Sequence, residues 1–355
     1  MLHPAGRAAA IATMKLIIQI PCLNEAQTLH IALADLPKQI PGIDTIEVLV
    51  IDDGSRDDTV AVARANGVHH VVGFRQNQGL ARAFMLGLES CLERGADIIV
   101  NTDADNQYNG ADIEKLVRPI LDGQADFVIG ARPIDTIEHF SPVKKLLQHL
   151  GSSIVRGVSG TDVADAPSGF RAITRDVALM LNVFNGYTYT LETIIQAGQR
   201  NMTVVSVPIR VNGDLRPSRL VRSIPNYIKR SIVTMFRIFI VYQPLKFFLT
   251  VSLFPFAVGL AVGARFLWYF FSGNGTGHVQ SLIFAAVMLI VGFLTFLLAI
   301  LGDLLSVNRR LLEELQQRER RRRIEAKLGT VAHPGTGIPT NSVYPDATDR
   351  HAVSS

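Results

Sequence analysis

An apolar run of twenty uncharged residues, LIFAAVMLIVGFLTFLLAIL at 282–301, limits most strongly what this chain can fold into. Such a run, as a helix, has the length needed to cross a hydrocarbon core of roughly 30 Å. A second apolar stretch, at 247–271, includes Trp268 and Tyr269, which suit a membrane interface. The sequence therefore predicts two transmembrane helices, at about 247–271 and 280–303. A buried helical hairpin in a soluble core is the alternative.

The charges beside the apolar segments favour one orientation in a membrane. Residues 210–246 contain eight Lys or Arg and one acid, whereas the linker SGNGTGH at 272–278 contains neither. The positive-inside tendency predicts an integral membrane protein with both chain termini and the catalytic part in the cytoplasm. The basic residues cluster where membrane lipids with anionic headgroups would account for them. We therefore expect membrane lipids, and no nucleic acid, as partners.

Before residue 210, two hydrophobic periods alternate along the chain. Five apolar runs are typical of buried strands: 15–21, 46–52, 68–74, 96–103 and 126–130. Helical patterns lie between them, near 26–37, 57–66, 79–94 and 110–122. This alternation indicates an α/β domain with a mostly parallel sheet flanked by helices, which binds ligands at the carboxyl ends of its strands. The first turn has no G-x-G-x-x-G and the chain has no Walker loop, which argues against a dinucleotide-binding Rossmann site.

Two carboxylates follow the fourth predicted strand, in DIIVNTDADNQY at 97–108. Asp103 and Asp105 are separated by one alanine, so their charges repel each other. Carboxylates fixed at a strand end make a hard-oxygen site for Mg²⁺ or Mn²⁺, which takes further ligands from water and substrate phosphates. Gln107 could add an amide oxygen. The D-x-D pattern is weak by itself, because surface acids at this spacing are common.

Six motifs in order resemble the family-two glycosyltransferases of the GT-A fold: IPCLNEAQTL, VIDDGSRDDT, NQGLARAFMLGL, NTDADNQ, IGARP and DAPSGFRAITRD. The closest likeness is to the polyprenyl-phosphate sugar transferases, the dolichol-phosphate mannose synthase group, over roughly residues 14–220. Some bacterial members also carry two C-terminal transmembrane helices. The resemblance implies a GT-A, Rossmann-like fold and an enzyme that moves a hexose from a UDP- or GDP-linked nucleotide sugar to undecaprenyl or dolichyl phosphate. It also implies that transfer is inverting and depends on Mg²⁺ or Mn²⁺.

The resemblance assigns donor-binding roles residue by residue. The positions that match those lining the nucleoside are Pro21, Leu23, Asn24, Glu25, Ile51 and Asp53. The positions that match those facing ribose, metal and diphosphate are Asp103, Ala104, Asp105 and Gln107, of which Asp103, Asp105 and Gln107 would be the metal ligands. For the DDGS segment, a strand-ending turn with a helix cap is the plain alternative.

Three residues are predicted to be catalytic: Asp105, Arg132 and Asp165. Arg132 resembles an arginine near the phosphates, where a planar donor fork suits phosphate oxygens. Asp165 matches an acid near the acceptor, and Glu192 is a rival acid that is more often structural. The metal and the arginine would stabilise charge on the departing nucleoside diphosphate. A phosphomonoester acceptor is ionised at neutral pH, with a second pKa near ~6, so it needs no strong general base.

A basic segment after the last core strand is the predicted phosphate-binding segment. Ser218 and Arg219 match a Ser-Lys pair that grips donor and acceptor phosphates, with arginine in place of lysine. Arg216 stands closer to this pair than the usual arginine does. The helices predicted after it mix basic and apolar residues, which is typical of helices that lie in the headgroup region. A polar helix packed on the catalytic domain is the alternative.

The predicted organisation has six parts: a disordered extension at 1–13, a GT-A catalytic domain at 14–215, basic amphipathic juxtamembrane helices at 216–243, two transmembrane helices within 244–305, a charged cytoplasmic helix at 306–329 and a disordered tail at 330–355. For the charged helix, lipid contact, self-association and simple solvation all stay open, as does a homo-oligomer.

Three rival functions use the same residues differently. A processive polysaccharide synthase would normally show Q-x-x-R-W and more spans, whereas the only tryptophan here is Trp268. A transferase acting on a sugar hydroxyl or a protein would need Asp165 or Glu192 as its base. A non-enzymatic membrane scaffold or lipid translocator leaves the acidic clusters at the strand ends unexplained.

Overall fold

The computed structural model of the chain describes residues 13–133, 142–183, 189–213, 224–273 and 277–331. The chain divides into two compact units. One, here called the sheet unit, comprises residues up to Arg222 together with residues from Gln317 onward. The other, here called the helical unit, comprises Ser223–Gln316.

The sheet unit is built on a mixed sheet, with seven strands among the described residues. They are β1 Lys15–Cys22, β2 Thr45–Asp52, β3 His70–Gly73, β4 Ile98–Asn101, β5 Phe127–Ala131, β6 Arg171–Thr174 and β7 Val204–Pro208. Their order is β3-β2-β1-β4-β6-β5-β7, and β6 alone of these strands runs antiparallel to its neighbours. The predicted mostly parallel α/β sheet is confirmed, whereas the antiparallel strand β6 was not predicted.

Helices connect the strands along the chain and flank the sheet. They are α1 Leu29–Ala34, α2 Thr59–Ala65, α3 Leu80–Glu93, α4 Ile113–Leu121, α5 Pro142–Ser159, α6 Arg175–Met180 and α7 Tyr189–Gln199. A 3₁₀ turn, Gly110–Asp112, leads into α4. Helix α5 was not predicted from the sequence.

The centre of the sheet combines an apolar core with a series of buried side-chain hydrogen bonds that leads toward the strand ends. The side chains of Leu16, Ile18 and Ile20 on β1 are fully buried, as expected for a strand covered on both faces. Between them, the Gln19 Nε2 donates to Asn101 Oδ1 at 2.9 Å. Asn101 Nδ2 in turn donates to the Gly169 carbonyl at 2.8 Å. The inner polar groups are thus paired, as burial requires.

The helical unit contains α8 Ile224–Tyr242, α9 Pro244–Phe271 and the part of α10 Val279–Val331 that ends at Gln316. Helices α9 and α10 are long and apolar enough to cross a membrane, and only 17% of the most apolar window of each is buried. A hairpin forming a soluble core would bury most of that surface, so the soluble-core alternative does not fit. The two helices pack closely at glycines, since a Cβ on Gly292 would lie 3.0 Å from the ring of Phe256.

The C-terminal segment of α10, residues 317–331, belongs to the sheet unit and docks on it. Its Ile324 is fully buried. Arg320 Nη1 donates to the Leu181 carbonyl at 2.6 Å, and Arg321 pairs with Asp176 at 2.9 Å. The sequence left lipid contact, self-association and solvation open for this charged helix. In the structure, the part of this helix from Gln317 onward packs against the rest of the sheet unit.

Candidate active site

The loop after β1 is tied to the loop after β2. Strands β1 and β2 are paired in register to their ends, so Pro21 lies beside Ile51. The Asn24 Oδ1 accepts from the Arg56 N–H at 2.8 Å. The backbone N–H of Glu25 donates to Thr59 Oγ1 at 2.9 Å. The predicted nucleoside-lining residues are therefore brought together, with Leu23 between them in the chain.

Asp53 holds a third loop against this edge of the sheet. Its carboxylate is buried and accepts from the backbone N–H groups of Gln78 at 2.7 Å and Gly79 at 2.9 Å. Burial raises the pKa of Asp53, and the two N–H groups act in the opposite direction. Gly54 has a φ of +76°, and a Cβ there would lie 2.6 Å from the Gln76 carbonyl carbon. Each carboxylate oxygen has a second lone pair with which to bind a ligand.

The two carboxylates after β4, those of Asp103 and Asp105, repel each other. Burial and the neighbouring charge of Asp105 raise the pKa of Asp103 to about 7, although Arg132 and Arg171 oppose the shift. Asp103 is half-buried, and Ala104 beside it is buried. The backbone N–H of Gln107 donates to Asp105 Oδ1 at 3.2 Å. A cation between the carboxylates would relieve this repulsion.

The oxygen atoms at this site suit a divalent cation, but they would supply only some of its ligands. Asp103, Asp105 and Gln107 offer hard oxygen atoms, which Mg²⁺ and Mn²⁺ prefer. Among the described residues, no cluster of three or more His, Cys, Asp or Glu is arranged to bind a metal. The remaining ligands would therefore come from water and phosphate oxygens, as is usual for Mg²⁺.

Two of the predicted catalytic residues bind each other. Arg132 Nε donates to Asp165 Oδ2 at 2.7 Å and Arg132 Nη2 donates to Asp165 Oδ1 at 3.0 Å. The backbone N–H of Arg132 reaches the same carboxylate at 3.3 Å. The side chains are 9% and 1% exposed, respectively, so water screens this forked pair very little. Asp165 therefore orients Arg132, and both carboxylate oxygens already carry charge-assisted bonds.

Arg171 is a charged residue at the site whose role the sequence did not reveal. It is buried on β6, where its guanidinium donates to the Ala166 carbonyl at 3.0 Å and to Thr193 Oγ1 at 2.7 Å. Its Nε donates to the Ser168 carbonyl at 2.8 Å. Arg171 thus joins the loop that carries Asp165 to helix α7. An arginine between Phe170 and Ala172, in the sequence FRAIT, was the available signal.

The other predicted residues lie farther along the chain. Glu192 is on α7 and is 7% exposed. The predicted phosphate-binding residues Arg216, Ser218 and Arg219 lie outside the described residues. The segment that leads to them, residues 209–213, is described and contacts the loop after Asp105.

The observed fold agrees with the one that the sequence motifs predict. A mostly parallel α/β sheet, with the predicted nucleoside-binding loops after β1 and β2 and paired carboxylates after β4, is the GT-A arrangement expected from the sequence motifs. Residues 17–179 match Glycosyl transferase family 2. The chain belongs to this family of glycosyltransferases.

Two similar proteins match this part of the chain. An uncharacterised protein of Methanocaldococcus jannaschii is 30% identical over 204 residues, which cover 55% of this chain and 81% of that protein. The undecaprenyl-phosphate mannosyltransferase of Micrococcus luteus is 28% identical over 206 residues, covering 55% of this chain and 83% of that protein.

A solved structure shares the fold. Glucosyl-3-phosphoglycerate synthase from Mycobacterium tuberculosis, solved with Mn²⁺, uridine diphosphate and phosphoglyceric acid, superposes with a TM-score of 0.51. It is 22% identical, and the match covers 62% of this chain and 78% of that chain. At this identity, the likeness shows the fold alone.

Proposed function

We propose that this protein is a membrane-anchored enzyme that transfers a hexose from a UDP- or GDP-linked sugar to a polyprenyl phosphate. Transfer inverts the anomeric carbon and depends on Mg²⁺ or Mn²⁺. The observation that carries the proposal is the pair Asp103 and Asp105 at a strand end, on a chain that also exposes two long apolar helices. The Micrococcus luteus relative, whose name gives a polyprenyl phosphate as its substrate, supports the acceptor.

The donor would bind along the carboxyl ends of β1, β2 and β4. Pro21 and Ile51 line the base, and Asp53 accepts from base or ribose while it holds the loop of Gln78. Asp103, Asp105 and Gln107 would hold the cation. When bound, a divalent cation neutralises charge that develops on the departing nucleoside diphosphate.

Arg132 would stabilise the same leaving group. A guanidinium has five N–H donors, and the side chain of Asp165 takes two of them. The remaining donors suit phosphate oxygens. Because Asp165 fixes the plane of the guanidinium, these donors need little reorganisation when charge develops on the phosphate, which is the condition for strong electrostatic stabilisation.

The pairing of Asp165 with Arg132 favours a phosphate acceptor over a hydroxyl acceptor. A sugar hydroxyl needs a base to remove its proton, whereas a phosphomonoester is already ionised at neutral pH. To act as a base, Asp165 would have to give up its charge-assisted bonds to Arg132. Asp165 therefore serves as an orienting group and is poorly suited to be the base.

Helices α9 and α10 would anchor the enzyme in the membrane where its lipid acceptor resides. The excess of Lys and Arg at 210–246 favours a cytoplasmic catalytic part. Within this stretch, Arg216, Ser218 and Arg219 would bind the acceptor phosphate, since arginine matches phosphate geometry.

The deciding experiment offers the purified full chain a panel of UDP- and GDP-sugars together with polyprenyl phosphate. We expect one labelled product that partitions into organic solvent and is released by mild acid. Free polyprenol should accept no sugar, because it lacks the phosphate. Absence of transfer to polyprenyl phosphate from every sugar of the panel would overturn the acceptor and favour hydroxyl transfer.

The metal role has its own test. Asp105→Asn should lower turnover by about 100-fold or more, the effect of losing an electrostatic contact to the transition state. The exposed Asp122→Asn is the matched control and should leave turnover unchanged. Full turnover in excess chelator would exclude metal dependence.

A further inference from the structure

The segment that follows β7 runs along the loop that carries the predicted metal ligands. Residues 209–213 lie beside residues 106–109, and Tyr108 and Val211 form an antiparallel bridge. The backbone N–H of Asn212 donates to the Gln107 carbonyl at 2.9 Å. The loop after Asp105 is therefore paired with a stretch of chain about a hundred positions later in the sequence.

The side chain of Asn212 adds contacts that a backbone bridge does not provide. Its Nδ2 donates to the Asn106 carbonyl at 3.0 Å. Its Oδ1 lies 3.4 Å from Asn109 Nδ2, a longer and weaker contact. Asn106 has a φ of +56°, a left-handed conformation that is uncommon outside glycine. Asn212 thus holds the loop at the point where its backbone takes an unfavourable conformation.

A second anchor lies two residues earlier. The backbone N–H of Arg210 donates to Asp112 Oδ2 at 2.7 Å, and its guanidinium donates to Asp112 Oδ1 at 2.7 and 3.0 Å. Asp112 is fully buried at the start of α4. On the other side, Tyr108 Oη accepts from the Gly169 N–H at 3.1 Å. The loop is fixed on both sides, and Asn212 is the contact nearest to Gln107.

We propose that Asn212 is a positioning residue that holds the loop of Asp105 and Gln107 in the conformation that binds the cation. The inference rests on the proposed function, and specifically on its metal site. Ligands carried on a loop reach productive geometry only when supporting contacts fix the loop to within about 0.5 Å. Asn212 also stands two residues before the segment 214–223, which holds the predicted acceptor-phosphate residues.

The test measures Mn²⁺ binding directly. The purified full chain is titrated with Mn²⁺, alone and with UDP or GDP, and free Mn²⁺ is followed by electron paramagnetic resonance. Loss of a residue that supports metal ligands typically weakens metal binding by about 10–100-fold, and we expect a loss in this range for Asn212→Ala. Asn66→Ala, which removes an exposed asparagine contact on α2, is the matched control and should bind Mn²⁺ like the natural chain.

A second variant covers the case in which Asn212→Ala fails to fold. Asn212→Asp keeps the size of the side chain and an oxygen toward Asn109, but it places a carboxylate oxygen against the Asn106 carbonyl. It should weaken Mn²⁺ binding at least as much. A folded variant that binds Mn²⁺ as tightly as the natural chain overturns the role of Asn212 and leaves the proposed function intact. If the natural chain binds no Mn²⁺ under any of these conditions, the metal part of the proposed function fails, and this inference fails with it.

Discussion

The pairing of Arg132 with Asp165 should be visible in the stability of the sheet unit. Asp165→Asn would keep the shape of the side chain but leave the guanidinium, which is 9% exposed, without its counter-charge. Breaking one side of a buried ion pair typically costs about 3–5 kcal/mol. At a urea m-value of about 3 kcal/mol/M, the unfolding midpoint would fall by about 1–1.7 M. Replacing both residues, as Arg132→Met with Asp165→Leu, should cost less than this single change.

Thiol labelling offers a readout confined to the sheet unit. The sequence has two cysteines, Cys22 and Cys91, and both are buried in this unit. A thiol reagent should therefore label the detergent-solubilised chain only as the sheet unit unfolds in urea. Glu114→Gln, which breaks an exposed pair on α4, is the control and should change stability by less than about 0.5 kcal/mol. The pair does not act as described if Asp165→Asn lowers the free energy of unfolding by less than about 1 kcal/mol. The same conclusion follows if the losses of the two single variants sum to the loss of the double variant.

Three further changes can be followed with the same labelling assay. Gly54→Ala should destabilise by about 1–3 kcal/mol and weaken donor binding, because the φ of +76° and a Cβ 2.6 Å from neighbouring backbone force the loop to move. Hydrogen bonds to Asp112 lower its pKa from 3.8 to about 2 although burial acts to raise it, so the natural chain should lose stability as the pH falls through this interval. In Asp112→Asn the stability should be lower at neutral pH and should lack that part of the acid dependence. Ile324→Asp should remove about 2 kcal/mol of apolar burial and expose residues 317–331 to trypsin, whereas the exposed Glu325→Gln should not.

The strands and their carboxyl ends could be predicted because hydrophobic periodicity is a local property. The loops after β1, β2 and β4 meet at one edge for a topological reason, so the acids of the DDGS and DADNQ segments were expected together. Strand direction is not written in periodicity, and β6 is only four residues long. The antiparallel direction of β6 therefore could not be predicted from hydrophobic periodicity.

The pairings within the site depend on contacts between distant residues. Arg132 and Asp165 are separated by 33 positions, and no spacing rule links them. From the sequence, Arg132 and Asp165 are two independent charged residues, and each was predicted separately to be catalytic. In the structure they form one forked ion pair. Arg171 is hidden for a similar reason, since a buried arginine is tolerated only when the fold supplies carbonyl oxygens for its donors.

The docking of residues 317–331 makes the sheet unit discontinuous in the chain. The apolar hairpin is encoded between its two parts, so the unit is completed only after both apolar helices have been synthesised. The hairpin leaves the ribosome before the last piece of the sheet unit has emerged. A soluble fragment that stops before α8 would lack that piece and would leave the surface that covers Ile324 open to water. Synthesis of both apolar helices thus precedes the final step in folding of the sheet unit, and a chain with a finished sheet unit already contains both of them.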